Sequence, residues 1–363
     1  QHALAFDGST VLIGNDGGVY ASAGSFMANL NSNLDISQFY EDLAVYGDGQ
    51  VIAGGLQDNG TAISNGQSQW SETIAGDGGY NAINPLDPAQ QFGEADTFLY
   101  STNDSWTTSP RLIEPTQIYD GPMPKIPGGP DPSIPANFVP PMTIVPNTAS
   151  IDNPTVYYGG ENLYESTNPS ASRMTWKRVT NHAGSFVSAI TVAPGDANVV
   201  YVGFDDGTVL VSDNATSATP TFSDITPGGI PLWITHIAVQ PSAPGSIAIT
   251  YSNNNTQYQA QAPLVLGGTV SLGSPSVAVG WSNDTGNLPS GISSNSVVFD
   301  GNYLVVATDV GVFFTKSVIG NATVWYTAGT GLPNVQVIGL TEDSAGNLYA
   351  ATHGRGVWKL TLG

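Results

Sequence analysis

The sequence predicts an all-β protein, a single β-propeller whose blades are four-stranded antiparallel sheets. Three observations lead to this fold class: a repeated strand-turn-strand unit, strands that alternate apolar and polar residues, and the near absence of helical periodicity. Short strands that recur every few tens of residues are typical of propeller blades. The chain has 363 residues, of which 40% are hydrophobic, so it can fill the core of one large β-domain.

The repeated unit consists of an alternating apolar strand, a turn, a second apolar strand, a glycine-containing turn and a third strand that ends in Ser or Thr. The fullest copy is residues 188–213, "SAITVAPGDANVVYVGFDDGTVLVSD", and the first copy is residues 2–22. The first strands of the units lie near Leu4, Leu43, Ala82, Thr143, Ile190, Ile237, Val297 and Ile338. This count predicts eight blades, with seven as the alternative if one of the weaker copies is only an elaborated loop.

Other features mark the outer edge of the blades. An aromatic residue marks a fourth strand in most units: Trp70, Trp106, Trp176, Phe222, Trp281 and Trp325. The last unit has no fourth strand before Gly363. Residues 109–141 are too proline-rich for regular strands, so we expect a surface insertion outside the repeat. The long spacing around 262–280 predicts an extra hairpin or lengthened outer strands.

Composition and charge exclude several classes of function. With 8 Lys and Arg against 29 Asp and Glu, a net charge of −21, the surface repels nucleic-acid phosphates and anionic membranes. No apolar run approaches the ~20 residues that a membrane helix needs. Cysteine is absent, so no disulfide framework holds the fold. The lysine-poor, amide- and hydroxyl-rich composition favours a secreted or cell-surface protein, with no signal peptide present in this chain.

The turns between third and fourth strands resemble the Asp-box of sialidase-type (BNR) repeat propellers, Ser-x-Asp-x-Gly-x-Thr-Trp. Decayed copies read "STNDSW" (101–106), "STNPSASRMTW" (166–176), "SDNATSATPTF" (212–222) and "TKSVIGNATVW" (315–325). The chain is similar to secreted bacterial BNR-like propellers through these copies and through three further segments, "YAATHGRGVWKL", "GLQDNG" and "GDGGYNAI". That group includes the xyloglucanase propellers of glycoside hydrolase family 74 and, more distantly, sortilin-like domains. The resemblance covers nearly the whole chain and implies the fold rather than one activity.

One mouth of the central channel is the predicted functional site. In a propeller, the turns between second and third strands and the linkers before first strands share this face. The residues predicted to bind a ligand there are Gln57, Asn59, Tyr80, Glu161, His182, Asp309, His353 and Arg355. For each Asp or Asn next to Gly, the alternative is that the side chain only satisfies the backbone of a tight turn.

Asp58 and Asp77 are the candidate catalytic residues. They lie on adjacent blades, in "GLQDNGT" (55–61) and "AGDGGYNAI" (75–83). Hydrolysis of a neutral glycan needs two carboxylates about 5–10 Å apart. Family 74 enzymes place their cleft between two propellers, whereas this chain has one, so a protein without enzymatic activity is favoured. Sialidase chemistry is excluded because it needs an arginine cluster, and only Arg355 is placed at the mouth.

Three aspartates, Asp16, Asp205 and Asp206, offer the hard oxygen ligands that Ca²⁺ prefers. No copy has the full alternating pattern of a calcium loop, and the predicted function requires no cofactor. The four histidines are scattered along the chain, which argues against a zinc site.

The sequence therefore favours a secreted or cell-surface propeller that acts as a binding scaffold for a glycan or an extracellular protein. A rigid ring that presents variable loops suits recognition. Two alternatives are a glycoside hydrolase that acts on a neutral polysaccharide through the paired aspartates, and a structural module of a larger surface protein. We expect no nucleic-acid partner and no membrane insertion.

Overall fold

The structure is a computed structural model. It describes residues 2–15, 18–31, 34, 36–67, 69–96, 98–113, 136–171, 174–253, 262–273, 275–316, 318, 320 and 322–362. Asp16 and most of the proline-rich stretch, 114–135, lie outside the described residues. Within the described ranges all the named elements are β-strands, and no helix is long and apolar enough to span a membrane.

Eight antiparallel sheets contain these strands, seven with four strands and one with three. The first two sheets are β1 (Ala3–Asp7), β2 (Thr10–Asn15), β3 (Gly18–Ala23), β4 (Phe26–Asn29), and β5 (Ala44–Tyr46), β6 (Val51–Leu56), β7 (Gly60–Ser64), β8 (Ser71–Ile74). The next two are β9 (Gly78–Ile83), β10 (Gln91–Ala95), β11 (Phe98–Thr102), β12 (Arg111–Leu112), and β13 (Met142–Val145), β14 (Thr155–Gly159), β15 (Leu163–Ser166), β16 (Lys177–Arg178).

The second half of the chain continues the same pattern. The fifth and sixth sheets are β17 (Val187–Ala193), β18 (Asp196–Phe204), β19 (Val209–Ser212), β20 (Ser223–Asp224), and β21 (Ile234–Gln240), β22 (Ala243–Tyr251), β23 (Val265–Ser271), β24 (Val277–Asn283). The last two are β25 (Ser294–Asp300), β26 (Tyr303–Thr308), β27 (Gly311–Thr315), β28 (Tyr326–Thr327), and the three-stranded β29 (Val337–Glu342), β30 (Leu348–Thr352), β31 (Val357–Leu360). In every sheet consecutive strands are neighbours.

The predicted count of eight sheets is confirmed. Each residue that was predicted to mark a first strand lies within that strand or directly before it. Contacts between first strands run from β5 through β9, β13, β17, β21 and β25 to β29, and β29 contacts β5. These strands therefore close a ring of seven, the number of the alternative count. The first sheet differs, because all five residues of β1 are exposed.

The core fills the spaces between neighbouring sheets. Tyr201 of the fifth sheet and Ile234, Ile237 and Ile249 of the sixth form one cluster in which each residue is fully buried. Alternating residues face opposite sides of a strand, so each sheet of the ring contributes apolar side chains to two such clusters. This explains why the strands of the ring have apolar residues on both faces.

The ring closes through polar contacts around Asp42. Its Oδ1 accepts hydrogen bonds from Leu340 N at 2.8 Å and Ser296 Oγ at 3.2 Å, and its Oδ2 lies 3.1 Å from His236 Nε2. A Cβ on Gly339 would lie 2.5 Å from Asp42 Oδ1, so this approach requires glycine. One carboxylate thus ties the segment before β5 to the sixth, seventh and eighth sheets.

The outer strands also follow the expectations, with one correction. Four outermost strands begin directly after a predicted aromatic marker: Trp70, Trp176, Phe222 and Trp325. Around 262–280 the structure has lengthened outer strands, β23 and β24. The correction concerns residues 109–141, because Arg111 and Leu112 pair with Ser101 and Tyr100 as the outermost strand of the third sheet.

Candidate functional site at the channel mouth

The turns "GLQDNGT" and "AGDGGYNAI" lie side by side. Asp58 N donates to Asp77 Oδ1 at 2.9 Å. A Cβ on Gly55 would lie 2.2 Å from Gly79 O, and a Cβ on Gly78 would lie 2.2 Å from Gly60 O. The two backbones can approach this closely only because glycine stands at these positions. The glycines of both motifs therefore have a packing role that needs no ligand.

The two candidate catalytic aspartates differ in what their side chains do. Asp77 Oδ1 accepts from Asp58 N and from Tyr40 Oη, the latter at 3.3 Å, so Asp77 holds the neighbouring turn. Burial, followed by the charge of Asp77, raises the pKa of Tyr40 to about 12, which keeps the phenol a hydrogen-bond donor. Asp58 is exposed, and among the described residues nothing donates to its carboxylate. Asp58 is therefore the member of the pair that can contact a ligand.

In three sheets, the aspartate directly after the second strand is hydrogen-bonded to the segment directly before the first strand. The acceptors Asp96, Asp205 and Asp309 each take a hydrogen bond from a backbone N–H just before the first strand of their own sheet, at 3.0, 2.9 and 2.8 Å. The same aspartates donate their own N–H to that segment. Asp205 and Asp309 were predicted for metal and ligand binding, and here their carboxylates serve the backbone of the turn.

The other predicted residues are spread around the same turns. His182 Nε2 lies 3.0 Å from Asp206 Oδ2, and Glu161 is exposed. Asn59 Nδ2 donates to the carbonyl of Gln57 at 2.8 Å within the turn. Within the described ranges no three His, Cys, Asp or Glu side chains are placed to hold a metal ion, and Asp16 lies outside those ranges.

Aromatic side chains cluster around Tyr40, on which the charge of Asp58 acts at this mouth. The Tyr40 ring lies 6.0 Å from the Phe138 ring and 6.3 Å from the His353 ring. His353 is held by its Nδ1, which lies 3.1 Å from the Phe39 carbonyl oxygen. Phe138 is 56% exposed. We call Tyr40, Asp58, Phe138, His353 and Arg355 the mouth cluster.

Arg355 carries the positive charge of the mouth cluster. Its side chain is exposed, and its Nη1 donates to the Gly354 carbonyl at 2.8 Å. Its turn is anchored through Gly354 N, which donates to Ser37 O at 3.0 Å. Among the described residues no carboxylate forms an ion pair with Arg355. The guanidinium is therefore available to a ligand.

The sequence did not predict a group of titratable side chains near the mouth cluster, which consists of Glu41, Tyr80 and Glu94. A side-chain hydrogen bond links Tyr80 to Glu41. Burial, and then the charge of Asp42, raises the pKa of Glu41 to about 8. Glu94 is 1% exposed, its Oε2 accepts from Tyr80 N at 3.0 Å, and burial raises its pKa well above the ordinary value. With a pKa of about 8, Glu41 holds its proton at neutral pH, and burial favours the protonated form of Glu94 in the same direction. Tyr80, a predicted ligand residue, belongs to this group.

One feature of the sequence could have pointed to this group, and a second is visible only in the structure. Glu41 and Asp42 directly precede the apolar run that contains β5, in the linker before that strand. Glu94 stands in a strand, β10, whose five residues are all buried. A carboxyl group in a fully buried strand is rare, because burying its charge is costly.

Comparisons with known proteins bear on the fold. No protein-family model and no curated protein matches the chain. Among solved structures, the chain is similar to the β-propeller domain of Cps50 (Swd1) from Myceliophteria thermophila, with a TM-score of 0.59 and 12% sequence identity. The similarity covers 91% of this chain and 98% of that chain. At this identity it shows the fold alone, so the predicted all-β propeller is confirmed.

Proposed function

We propose that this protein is a secreted or cell-surface propeller of the BNR-like type that binds a polysaccharide at the mouth cluster. The observation that carries the proposal is the meeting of exposed aromatic and hydrogen-bonding side chains on one rigid mouth. Phe138 offers an aromatic face to a sugar ring, and Asp58 and Arg355 offer groups that hydrogen-bond to hydroxyls. Backbone hydrogen bonds fix the turns that carry them, which lowers the entropy cost of binding.

The BNR-like assignment is supported by the local geometry of the decayed boxes. Ser166 Oγ donates to Asn168 Oδ1, and the same oxygen accepts from Thr175 N at 2.9 Å. In the next sheet Asn214 Oδ1 accepts from Thr221 N, also at 2.9 Å. Asparagine thus stands where the motif has aspartate, and it makes the contacts that link the start of the box to its end.

A glycan is favoured over a protein partner at this mouth. Specific protein interfaces need a sizeable packed patch, whereas a sugar chain is held by a few stacking and hydrogen-bonding groups. The net charge of −21 also disfavours acidic macromolecules. We therefore expect a neutral polysaccharide.

A glycan array followed by calorimetry on the strongest hit tests the proposal. Asp58→Asn and Arg355→Ala each change an exposed charged group of the mouth cluster that has no partner carboxylate or cation among the described residues, so we expect at least a tenfold loss of affinity with a nearly unchanged thermal midpoint. Glu72→Gln, on the exposed outermost strand β8, is the matched control and keeps full affinity. Absence of binding to plant and microbial polysaccharides by the wild-type protein contradicts the proposal.

Hydrolysis of the bound polysaccharide is the second candidate function, and Glu41 favours it. A general acid must hold its proton at the working pH, and a carboxyl group with a pKa of about 8 does so. Asp58 is the exposed carboxylate of the same mouth. Release of reducing sugar by the wild-type protein, lost in Glu41→Gln with binding retained, is the expected result. If the wild-type protein binds the polysaccharide but releases no sugar, the hydrolase function is contradicted and only the scaffold function remains.

A further inference from the structure

A large groove lies between the sixth and seventh sheets and is lined by residues from several strands of each. Its volume is about 810 Å³, within the range of about 300–1,000 Å³ that small-ligand sites occupy. Trp281 of β24 and Tyr303 of β26 face it from the two sheets. None of its lining residues belongs to the mouth cluster.

The lengthened outer strands build one wall of this groove. β23 and β24 have seven residues each, whereas β28, the outermost strand of the facing sheet, has two. The longer strands therefore extend past their neighbour. A Cβ on Gly268 would lie 2.5 Å from Cζ3 of Trp281, so this glycine lets the indole lie directly against β23.

The lining combines aromatic and uncharged polar groups, which is the composition that sugars require. Trp281 and Phe299 offer apolar ring surface, while Gln240, Ser282 and Asn302 offer amide and hydroxyl groups. Aromatic rings bind the apolar faces of sugars, and the polar groups exchange hydrogen bonds with hydroxyls.

The charge of the groove is opposite to that of the molecule. Lys316 is exposed, its Nζ lies 5.0 Å from the centre of the Tyr303 ring, and no described carboxylate pairs with it. The acid in the lining, Asp284, is 0% exposed, and burial raises its pKa. Asp300, next to the groove, lies near Glu342 of the eighth sheet, whose pKa its negative charge raises, so its side chain is on the side of β25 that faces the eighth sheet. The groove therefore presents one positive charge and no exposed negative one.

We infer that this groove binds an oligosaccharide that carries carboxylates, a chain of uronic acid units. Trp281 supplies the stacking surface and Lys316 pairs with a sugar carboxylate. The repulsion from the net charge of −21 is screened over about 8 Å at physiological ionic strength, whereas a direct ammonium–carboxylate contact survives. The site is independent of the mouth cluster and of the neutral polysaccharide proposed there.

Titration calorimetry with a short oligogalacturonate, and with a neutral galactan oligosaccharide of the same length, tests the inference. Lys316→Gln removes the charge and should weaken oligogalacturonate binding about tenfold or more, the effect of losing one charge-assisted hydrogen bond. Gly280→Phe should abolish it, because Gly280 lines the groove and a Cβ there meets nothing within 4 Å. Lys359→Gln is the matched control, an exposed lysine whose Nζ lies 5.7 Å from the ring of Tyr349.

The expected pattern is binding by wild type and Lys359→Gln, weak binding by Lys316→Gln and none by Gly280→Phe. No oligogalacturonate binding by wild type overturns the inference. Equal affinity for the neutral oligosaccharide overturns the carboxylate assignment. Loss of oligogalacturonate binding in Arg355→Ala, with Lys316→Gln unaffected, places the ligand at the mouth cluster instead. Should Gly280→Phe fail to fold by circular dichroism, Lys316→Gln decides.

Discussion

The first and fifth sheets have the same repeat pattern in sequence, but the first strand of the first sheet is exposed and that of the fifth sheet is largely buried. The described residues of 2–22 and 188–213 both fold into consecutive antiparallel strands, as the pattern predicts. All five residues of β1 are exposed, whereas four of the seven residues of β17 are buried and none is exposed. The local pattern thus determines strands and pairing, and burial depends on neighbouring sheets that pack on both faces.

The largest expected difference between the two sheets is in stability. Phe204→Ala removes a ring that is 0% exposed in the fifth sheet, and we expect a loss of about 3–5 kcal/mol in the free energy of unfolding. Phe6→Ala removes the same side chain where it is 79% exposed in the first sheet, and we expect a change within about 0.5 kcal/mol. Denaturant unfolding of the two variants measures both. Equal losses would show that β1 is buried in solution.

The pH dependence of stability should also differ between the ring and the first sheet, because Glu41, with its raised pKa, lies directly before β5 of the ring. The pKa of Glu41 is raised from 4.5 to about 8 in the folded protein, so the folded state binds a proton that the unfolded state has released. Its stabilisation is complete below pH 4.5 and is lost as the pH rises towards 8. The free energy of unfolding should fall by on the order of 1 kcal/mol per pH unit in this window.

Glu41→Gln mimics the protonated acid, so we expect a flatter profile and a gain in stability at pH 8 relative to wild type. Asp7→Asn, in the exposed β1, is the control and should keep the wild-type slope. An unchanged slope in Glu41→Gln would assign the pH dependence to other groups or to overall charge repulsion.

A smaller difference in stability is expected between variants of two turn aspartates, Asp309 and Asp58. Asp309 accepts hydrogen bonds from Ser293 N, Asn295 Nδ2 and Gln336 Nε2, so Asp309→Ala should cost about 1–3 kcal/mol. Asp58 has a φ of 57°, which asparagine adopts readily, so Asp58→Asn should leave stability nearly unchanged. Thermal unfolding distinguishes them. A comparable loss in both variants would mean that Asp58 also serves its turn.

Much of the fold could be predicted because it depends on local patterns. The alternation in β21 and β25 and the aromatic residue before β16 or β20 are visible in a few neighbouring residues. The adjacency of Asp58 and Asp77 followed from the repeat register. Glu41 and Glu94 were missed because their burial arises only when the ring closes. The backbone hydrogen bonds of Asp205 and Asp309 could not be predicted, because a turn aspartate that serves its own backbone has the same sequence as one that binds a ligand.

Hydrogen exchange with and without the polysaccharide that binds most strongly tests whether the mouth cluster is the ligand site. We expect added protection at residues 57–60, at 76–80 and at 352–356, the turns of the mouth, and none in β1 or β2 of the first sheet. Protection confined to the first sheet, or spread evenly over all sheets, would contradict the claim that the ring presents its ligand site at the mouth cluster.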